Sequence, residues 1–204
     1  LSAYLRDPIT ILRIWDGGMS FHGGLAGILL AGAWVSREYK VSFLALADAG
    51  AVGAPIGLFF GRLANFVNGE LWGRPTSVPW AVVFPAAPLV NGVNVPRHPS
   101  QIYEALLEGL VLFLVVLWLA RRRQPRGLIF GWMLTLYGAF RIFVEFFRQP
   151  DVQIGFLPGG ITEGQLLSIP VLVSGAVLIW WSLRHRRQSS TASVTPAGGT
   201  GDGP

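Results

Sequence analysis

The sequence contains no cysteine. That excludes disulfides, a thiolate nucleophile and a cysteine-ligated metal within the chain, so any thiol chemistry has to come from a substrate. Charge is scarce as well: only 13% of the 204 residues are Asp, Glu, Lys or Arg, about half the share of an ordinary soluble domain. With 51% hydrophobic residues and a mean hydropathy of +0.49, the composition specifies an integral membrane protein. The three histidines, His22, His98 and His185, stand far apart, so no metal-ligand spacing arises and neither metal nor cofactor is expected. A phosphate-cradling glycine loop, a GxSxG nucleophile elbow and an HExxH pattern are also absent. The net charge of +5 does not indicate nucleic acid. The basic residues cluster beside apolar runs, which is a pattern of membrane topology and of attraction to anionic lipid.

What the sequence does contain is a succession of apolar runs. They predict an all-α polytopic membrane protein with five transmembrane helices and a small outward-facing head region between the second and third. Leu25–Val35 with its flanking glycines is just long enough to cross, and Val41–Phe66 follows, interrupted by Asp48, Pro55 and several glycines. The remaining runs are Gln101–Ala120, Gly127–Phe147 and Gln165–Leu183. Leu1–Phe21 reads as a short interfacial helix. The loop over residues 69–100 is rich in Pro, Trp and Asn, and Trp80–Phe84 (WAVVF) is expected to form a short strand. A connection of that length calls for a function. Residues 1–187 form the membrane domain, and Gln188–Pro204, composed largely of Ser, Thr, Gly and Pro, is expected to be a disordered cytoplasmic tail.

Five crossings place Arg37 and Lys40, Arg121–Arg126 and Arg184–Arg187 on one side, nine of the sixteen basic residues. The positive-inside rule makes that side cytoplasmic. The loop over 69–100, the loop Arg148–Gly160 and His22 then face outward, at the outer leaflet.

Polar residues in this setting are the informative ones, because an ionisable group in a bilayer is costly and needs a partner. The stretch Gly61–Gly73, GRLANFVNGELWG, sets Arg62, Asn65 and Gly69 on one helix face, with Asn68 and Glu70 near the helix end. A snorkelling charge at a helix terminus would explain a single arginine, but not four polar groups among glycines. Tyr137, Arg141 and Glu145 recur at intervals of four, a phenol, a guanidinium and a carboxylate in one ladder. The bland alternative is an Arg141–Glu145 pair that neutralises itself. Two arginines near the outer surface on different helices suit an anion, and guanidinium matches phosphate by bidentate hydrogen bonds. A phospholipid head group is the obvious anion there. His22, flanked by glycines in SFHGGLAG, is either a structural hydrogen-bonding group or a base. Ser100 is expected to cap the third span. Gln101, Glu104 and Glu108 share a stripe, and the two glutamates, like Asp48, still need partners. Two other functions compete: a transporter or channel using Asp48, Glu104, Arg141 and Glu145 as an ion pathway, and a non-catalytic lipid-binding scaffold. Transporter sites sit near the midplane and are often framed by repeats, whereas these groups gather toward the outer ends and no convincing repeat is seen.

Four stretches in order, SFHGGLAG (Ser20–Gly27), GRLANFVNGELWG (Gly61–Gly73), RHPSQIYE (Arg97–Glu104) and YGAFRIFVEFFRQPD (Tyr137–Asp151), resemble the bacterial prolipoprotein diacylglyceryl transferases. The resemblance covers Leu1 to about Arg187. It implies transfer of an sn-1,2-diacylglyceryl group from phosphatidylglycerol to the lipobox cysteine thiol of a preprolipoprotein, giving a thioether and glycerol phosphate. It implies His22, Arg62, Tyr137 and Arg141 as catalytic residues, and Arg62, Asn65, Glu70, Arg141 and Glu145 as binders of phosphatidylglycerol. No cofactor is implied; the partners are the lipid and the signal peptide, in the bacterial cytoplasmic membrane, with the active site toward the outer leaflet and the C-terminus cytoplasmic. The family has seven spans, so two are expected upstream of Leu1.

Overall fold

The structure, a computed structural model, describes residues 21–150 and 160–192. Among these residues it is helical, with isolated β-bridges and no extended strand. The chain divides into two compact units, Leu1–Leu46 and Ala47–Pro204. The first holds α1 (Phe21–Glu38) and the start of α2 (Phe43–Asn68). A tight turn joins them: Ser36 Oγ donates to the Val41 carbonyl at 2.7 Å, and Lys40 takes φ 52°. The Phe43 ring then lies 3.0 Å from where a Cβ on Gly32 would stand, so the glycine admits the ring.

The second unit contains the body of α2, then α3 (Ser100–Ala120), α4 (Leu128–Val144) and α5 (Glu163–Ala192). α2, α3 and α5, the last over Glu163–His185, are long and apolar enough to cross a membrane, whereas α4 is a shorter apolar helix. The chain is a multi-pass membrane protein. α5 continues to Ala192, past the expected end at Leu183, and the rest of the expected tail lies outside the described residues. So do the expected interfacial helix up to Ser20 and most of the Arg148–Gly160 loop.

α3 is the central element of this unit: 39% of its apolar stretch is buried, against 11% for α2 and 17% for α5. It is not uniform. Ser100–Glu104 is α-helical, Ala105–Val111 is π-helical and Leu112–Ala120 is α-helical again. π turns are rare and recur at functional sites. In lipid, helices associate through close packing at small residues, and each contact here uses one. A Cβ on Gly109 of the π turn would stand 2.6 Å from Phe59 Cβ of α2. α4 and α5 interlock in the same way, since a Cβ on Gly138 would lie 2.9 Å from Leu172 Cβ and one on Gly175 2.6 Å from the Thr135 amide nitrogen.

Asp48 is where the sequence left a question. Its carboxylate accepts from the backbone amides of Gly127 at 2.6 Å and Phe130 at 2.8 Å. It caps the start of α4 from another helix, supplying the anion that a helix N-terminus favours. Ser182 Oγ donates to the Arg126 carbonyl at the same level, 3.0 Å away.

The segment between α2 and α3 is pinned by backbone pairs. Residue 97 pairs with Val82 through Arg97 N to Val82 O at 2.9 Å and Val82 N to Arg97 O at 3.0 Å, and its other side bridges to Pro75. The strand expected at Trp80–Phe84 does not form; its pairing is confined to the bridge at Val82. Pro79 and Pro85 flank it and cannot donate to a ladder, so pairing stops after one step. The buried Arg97 side chain reaches the carbonyls of Pro88 at 2.8 Å and Gly73 at 3.4 Å.

Candidate active site

The C-terminal end of α2, the N-terminal end of α3 and the C-terminal end of α4 meet at one end of the second unit. There an ionised cluster forms around Glu104. Its Oε2 lies 2.8 Å from Arg62 Nε, its Oε1 contacts Arg141 Nη1, and the same Oε1 lies 3.4 Å from Arg148 Nη1. The Arg62 N–H is not aligned with the Glu104 oxygen despite the 2.8 Å separation, so that contact is Coulombic rather than a hydrogen bond. Glu108, one turn further along α3, straddles the two arginines, with Oε2 3.9 Å from Arg62 Nη2 and Oε1 3.9 Å from Arg141 Nη1. Glu145 approaches Arg141 at 3.4 Å. The expected Arg141–Glu145 pair therefore exists, but as one edge of a larger network.

Exposure orders the cluster. Glu104 and Glu108 are 1% and 0% exposed at their side chains, whereas Arg62 and Arg141 are 17% and 13% exposed. The carboxylates lie beneath and the guanidinium groups remain accessible. Each arginine has five N–H donors in a planar fork, so fixing one edge to a carboxylate leaves donors for an anionic oxygen.

Glu70 enters through Asn65. Asn65 Nδ2 donates to Glu70 Oε1 at 2.8 Å, Asn68 Nδ2 does so at 3.3 Å, and Asn65 Oδ1 accepts from Arg62 Nη1 at 3.5 Å. Glu70 thus orients Asn65, and Asn65 touches Arg62. The backbone here is held from α3. Gln101 Nε2 donates to the Glu70 carbonyl at 2.5 Å, and Ser100 Oγ donates to that of Leu71 at 3.1 Å. Ser100 is therefore not the cap expected of it: Pro99 occupies that position without a side-chain bond, and the hydroxyl serves Leu71. Leu71 sits at φ 56°, an unfavourable region for a bulky residue that persists only where its surroundings enforce it. Next to it, Gly73 admits no side chain, because a Cβ would meet the carbonyls of His98 at 2.5 Å and Phe147 at 2.7 Å. Arg74 donates to the Arg148 carbonyl at 2.9 Å and the Glu145 carbonyl at 3.3 Å, satisfying the end of α4.

Tyr137 lies one turn before Arg141 on α4, within electrostatic reach of Glu108 and Arg141. His22 stands in the first turn of α1 and its side chain lies outside the described residues. Among the residues expected at the site, the structure brings together Arg62, Asn65, Glu70, Arg141 and Glu145. Sequence reasoning missed the central place of Glu104, Glu108 and Arg148; the signal was the two glutamates four apart on an apolar helix, each in need of a cation. His98, just outside the membrane segments, accepts or donates at Nδ1 with the Tyr103 hydroxyl at 3.1 Å, and Trp80 Nε1 donates to that hydroxyl at 2.7 Å. Desolvation lowers the His98 pKa, favouring the neutral ring. Among the described residues no three His, Asp or Glu side chains gather as a metal site would require.

A bundle of membrane helices that buries carboxylates beneath accessible arginines at one end defines a membrane protein built to receive an anionic group. The model of one family, prolipoprotein diacylglyceryl transferase, matches residues 1–181. A phosphatidylglycerol–prolipoprotein diacylglyceryl transferase of Geobacter sulfurreducens is 52% identical over 178 residues, covering 87% of this chain and 66% of its own length. The transferases of Pseudomonas putida and Serratia proteamaculans are 48% and 45% identical, over 94% and 92% of this chain and 71% of each relative. The chain belongs to the prolipoprotein diacylglyceryl transferase family. It spans about two thirds of the length of these relatives.

Proposed function

We propose that the protein transfers the diacylglyceryl group of phosphatidylglycerol to the lipobox cysteine of a preprolipoprotein. One observation carries the reading: Arg62 of α2 and Arg141 of α4 are gathered by Glu104 with part of each guanidinium still accessible. The sulfur of the peptide thiol attacks the glyceryl carbon, the carbon–oxygen bond to phosphate breaks, and its electron pair leaves on the phosphate oxygen of glycerol phosphate. Two positioned guanidinium groups stabilise the charge that develops on that oxygen. Asn65 and Glu145 hold the arginines, Glu70 acts through Asn65, and Tyr137 faces the head group from the same helix as Arg141. His22 is the candidate base for the thiol, whose ordinary pKa is about 8.5; an arginine-rich field lowers a thiol pKa as well.

The rest of the architecture follows from the same reading. Residues 1–187 are the membrane domain with five crossings, α1 and α4 completing the three longer spans, and 69–100 form an outward head. The arginines at 121–126 and 184–187 put the opposite end and the C-terminus in the cytoplasm, so the site opens at the outer leaflet of the bacterial cytoplasmic membrane. A transporter reading has no support: Asp48, which it would place in an ion pathway, is a helix cap.

The test is mass spectrometry of a lipobox peptide incubated with the full-length enzyme and phosphatidylglycerol. The diacylglyceryl mass increment is expected, and its loss in Arg62→Ala and in Arg141→Ala; full activity in both variants would sink the two-arginine site. A His22→Gln enzyme that keeps the wild-type pH profile would remove His22 as base.

A further inference from the structure

Glu108 has no task in the scheme above, yet its position is costly. It is 0% exposed and neither carboxylate oxygen has a hydrogen-bond partner among the described residues, although a buried carboxylate without such bonds is strongly disfavoured. Its oxygens address one arginine each, both at 3.9 Å, beyond direct contact. Orientation of the arginines does not require it, because Glu104 touches both and Glu145 takes a further edge of Arg141. Nor can it withdraw: its neighbour Gly109 is seated against Phe59, fixing the level of α3 against α2.

What Glu108 adds is charge. With it, Glu104, Glu108 and Glu145 balance Arg62, Arg141 and Arg148; without it the cluster carries one net positive charge. We infer that Glu108 is a positioning residue that acts through Arg62 and Arg141 to bias them toward a singly charged phosphodiester and against the more highly charged phosphomonoester released by transfer. The inference rests on the transferase reading. Its physical basis is that Coulomb energy scales with the product of charges. A fixed buried carboxylate therefore opposes a doubly charged ligand twice as strongly as a singly charged one. Phosphatidylglycerol presents a diester with one negative charge, whereas a phosphate monoester carries about 1.5 to 2 near neutral pH. A bare arginine pair would hold its product more tightly than its substrate. The balanced cluster evens out that preference, and product leaves.

The experiment is steady-state transfer by the full-length enzyme in phosphatidylglycerol vesicles, with glycerol 1-phosphate as product inhibitor, for wild type, Glu108→Gln and Glu108→Asp. In Glu108→Gln the inhibition constant for glycerol 1-phosphate is expected to fall about tenfold and KM for phosphatidylglycerol about threefold, with kcat reduced by slow release. Glu108→Asp keeps the charge and should restore the wild-type ratio of the two constants. An active Glu108→Gln enzyme with that ratio unchanged overturns the inference, whatever happens to its thermal stability, because a purely structural role moves stability and not the ratio. Should Glu108→Gln fail to fold, the wild type decides through two inhibitors of one shape and different charge. Glycerol 1-phosphate is expected to bind within about threefold of its methyl ester; binding about tenfold or more tighter overturns the inference. A wild-type enzyme that forms no thioether overturns the transferase reading and takes this inference with it.

Discussion

Glu104 sits 2.8 Å from Arg62 while being only 1% exposed itself, so the accessible cation is held from below by an anion that solvent does not reach. Removing one member of a buried pair strands the other's charge and costs about 3 to 5 kcal/mol. Glu104→Gln is expected to lower the stability of the detergent-solubilised enzyme by about 3 kcal/mol and its transfer rate by about a hundredfold. Arg62→Lys keeps the charge but not the planar fork; it should melt near wild type and still lose about a hundredfold in transfer. Thermal unfolding and thioether formation, measured on the same samples, check both, and transfer by Glu104→Gln within twofold of wild type would contradict the arrangement.

Asp48 should separate from the chemistry altogether. Asp48→Ala removes the acceptor of the Gly127 and Phe130 amides, so a stability loss of about 1 to 2 kcal/mol is expected. At a temperature where the variant is folded, thioether formation should stay within about twofold of wild type, since the cap stabilises α4 at the end away from the arginines. A tenfold loss there would return Asp48 to the functional residues.

Close packing at Gly109 predicts a different failure. A methyl group on this residue would meet Phe59 Cβ and Cα at 2.6 and 2.7 Å, and backbone cannot yield as a flexible side chain can. Gly109→Ala is expected to cost about 1 to 3 kcal/mol and to reduce transfer by parting Arg62 from Glu104. Phe59→Ala in the same chain makes room and should recover part of the transfer rate. A single variant as stable and active as wild type would show that the helices tolerate the extra atom.

His98 offers a pH-dependent readout of the segment outside the membrane. Burial lowers its pKa from 6.5 in the folded chain, so below 6.5 the unfolded state takes the proton first. Its contribution to stability is therefore complete above pH 6.5 and declines as the pH falls through the lowered folded value. Replacing the ring by His98→Phe should flatten the loss of melting temperature between about pH 7 and about pH 5. Parallel wild-type and variant curves over that range would refute the assignment.

Hydropathy made the helices legible: α2 was expected over Val41–Phe66 and forms over Phe43–Asn68, and the fourth run was expected over Gly127–Phe147 and forms over Leu128–Val144. The arginines were legible because charge in an apolar run always asks for an explanation. Their partners were not. The Asp48 carboxylate and the Gly127 amide are 79 residues apart in sequence, and no local pattern encodes such a pairing. Glu104 and Glu108 announced only that they needed cations, not that both would need the same two. The π turn left no trace, since ALLEGLV reads as ordinary helix. At Trp80–Phe84, β-propensity was a poor guide because the prolines on either side limit a ladder to one rung.

That π turn makes α3 a phase-shifted element. Bonds from i to i+5 accommodate one residue more per turn than an α-helix does, so the polar end at Ser100–Glu104 and the apolar end at Leu112–Ala120 are set to separate neighbours. Loss of one residue between Ala105 and Val111 would let the segment relax to a regular α-helix with every backbone group satisfied. It would also turn one end against the other by about 100°, carrying either the carboxylates away from the arginines or the apolar side chains away from their packing. Such a chain would insert and look intact by helicity while its two ends could no longer both face their partners, so indel tolerance in this window reports on the register of the site.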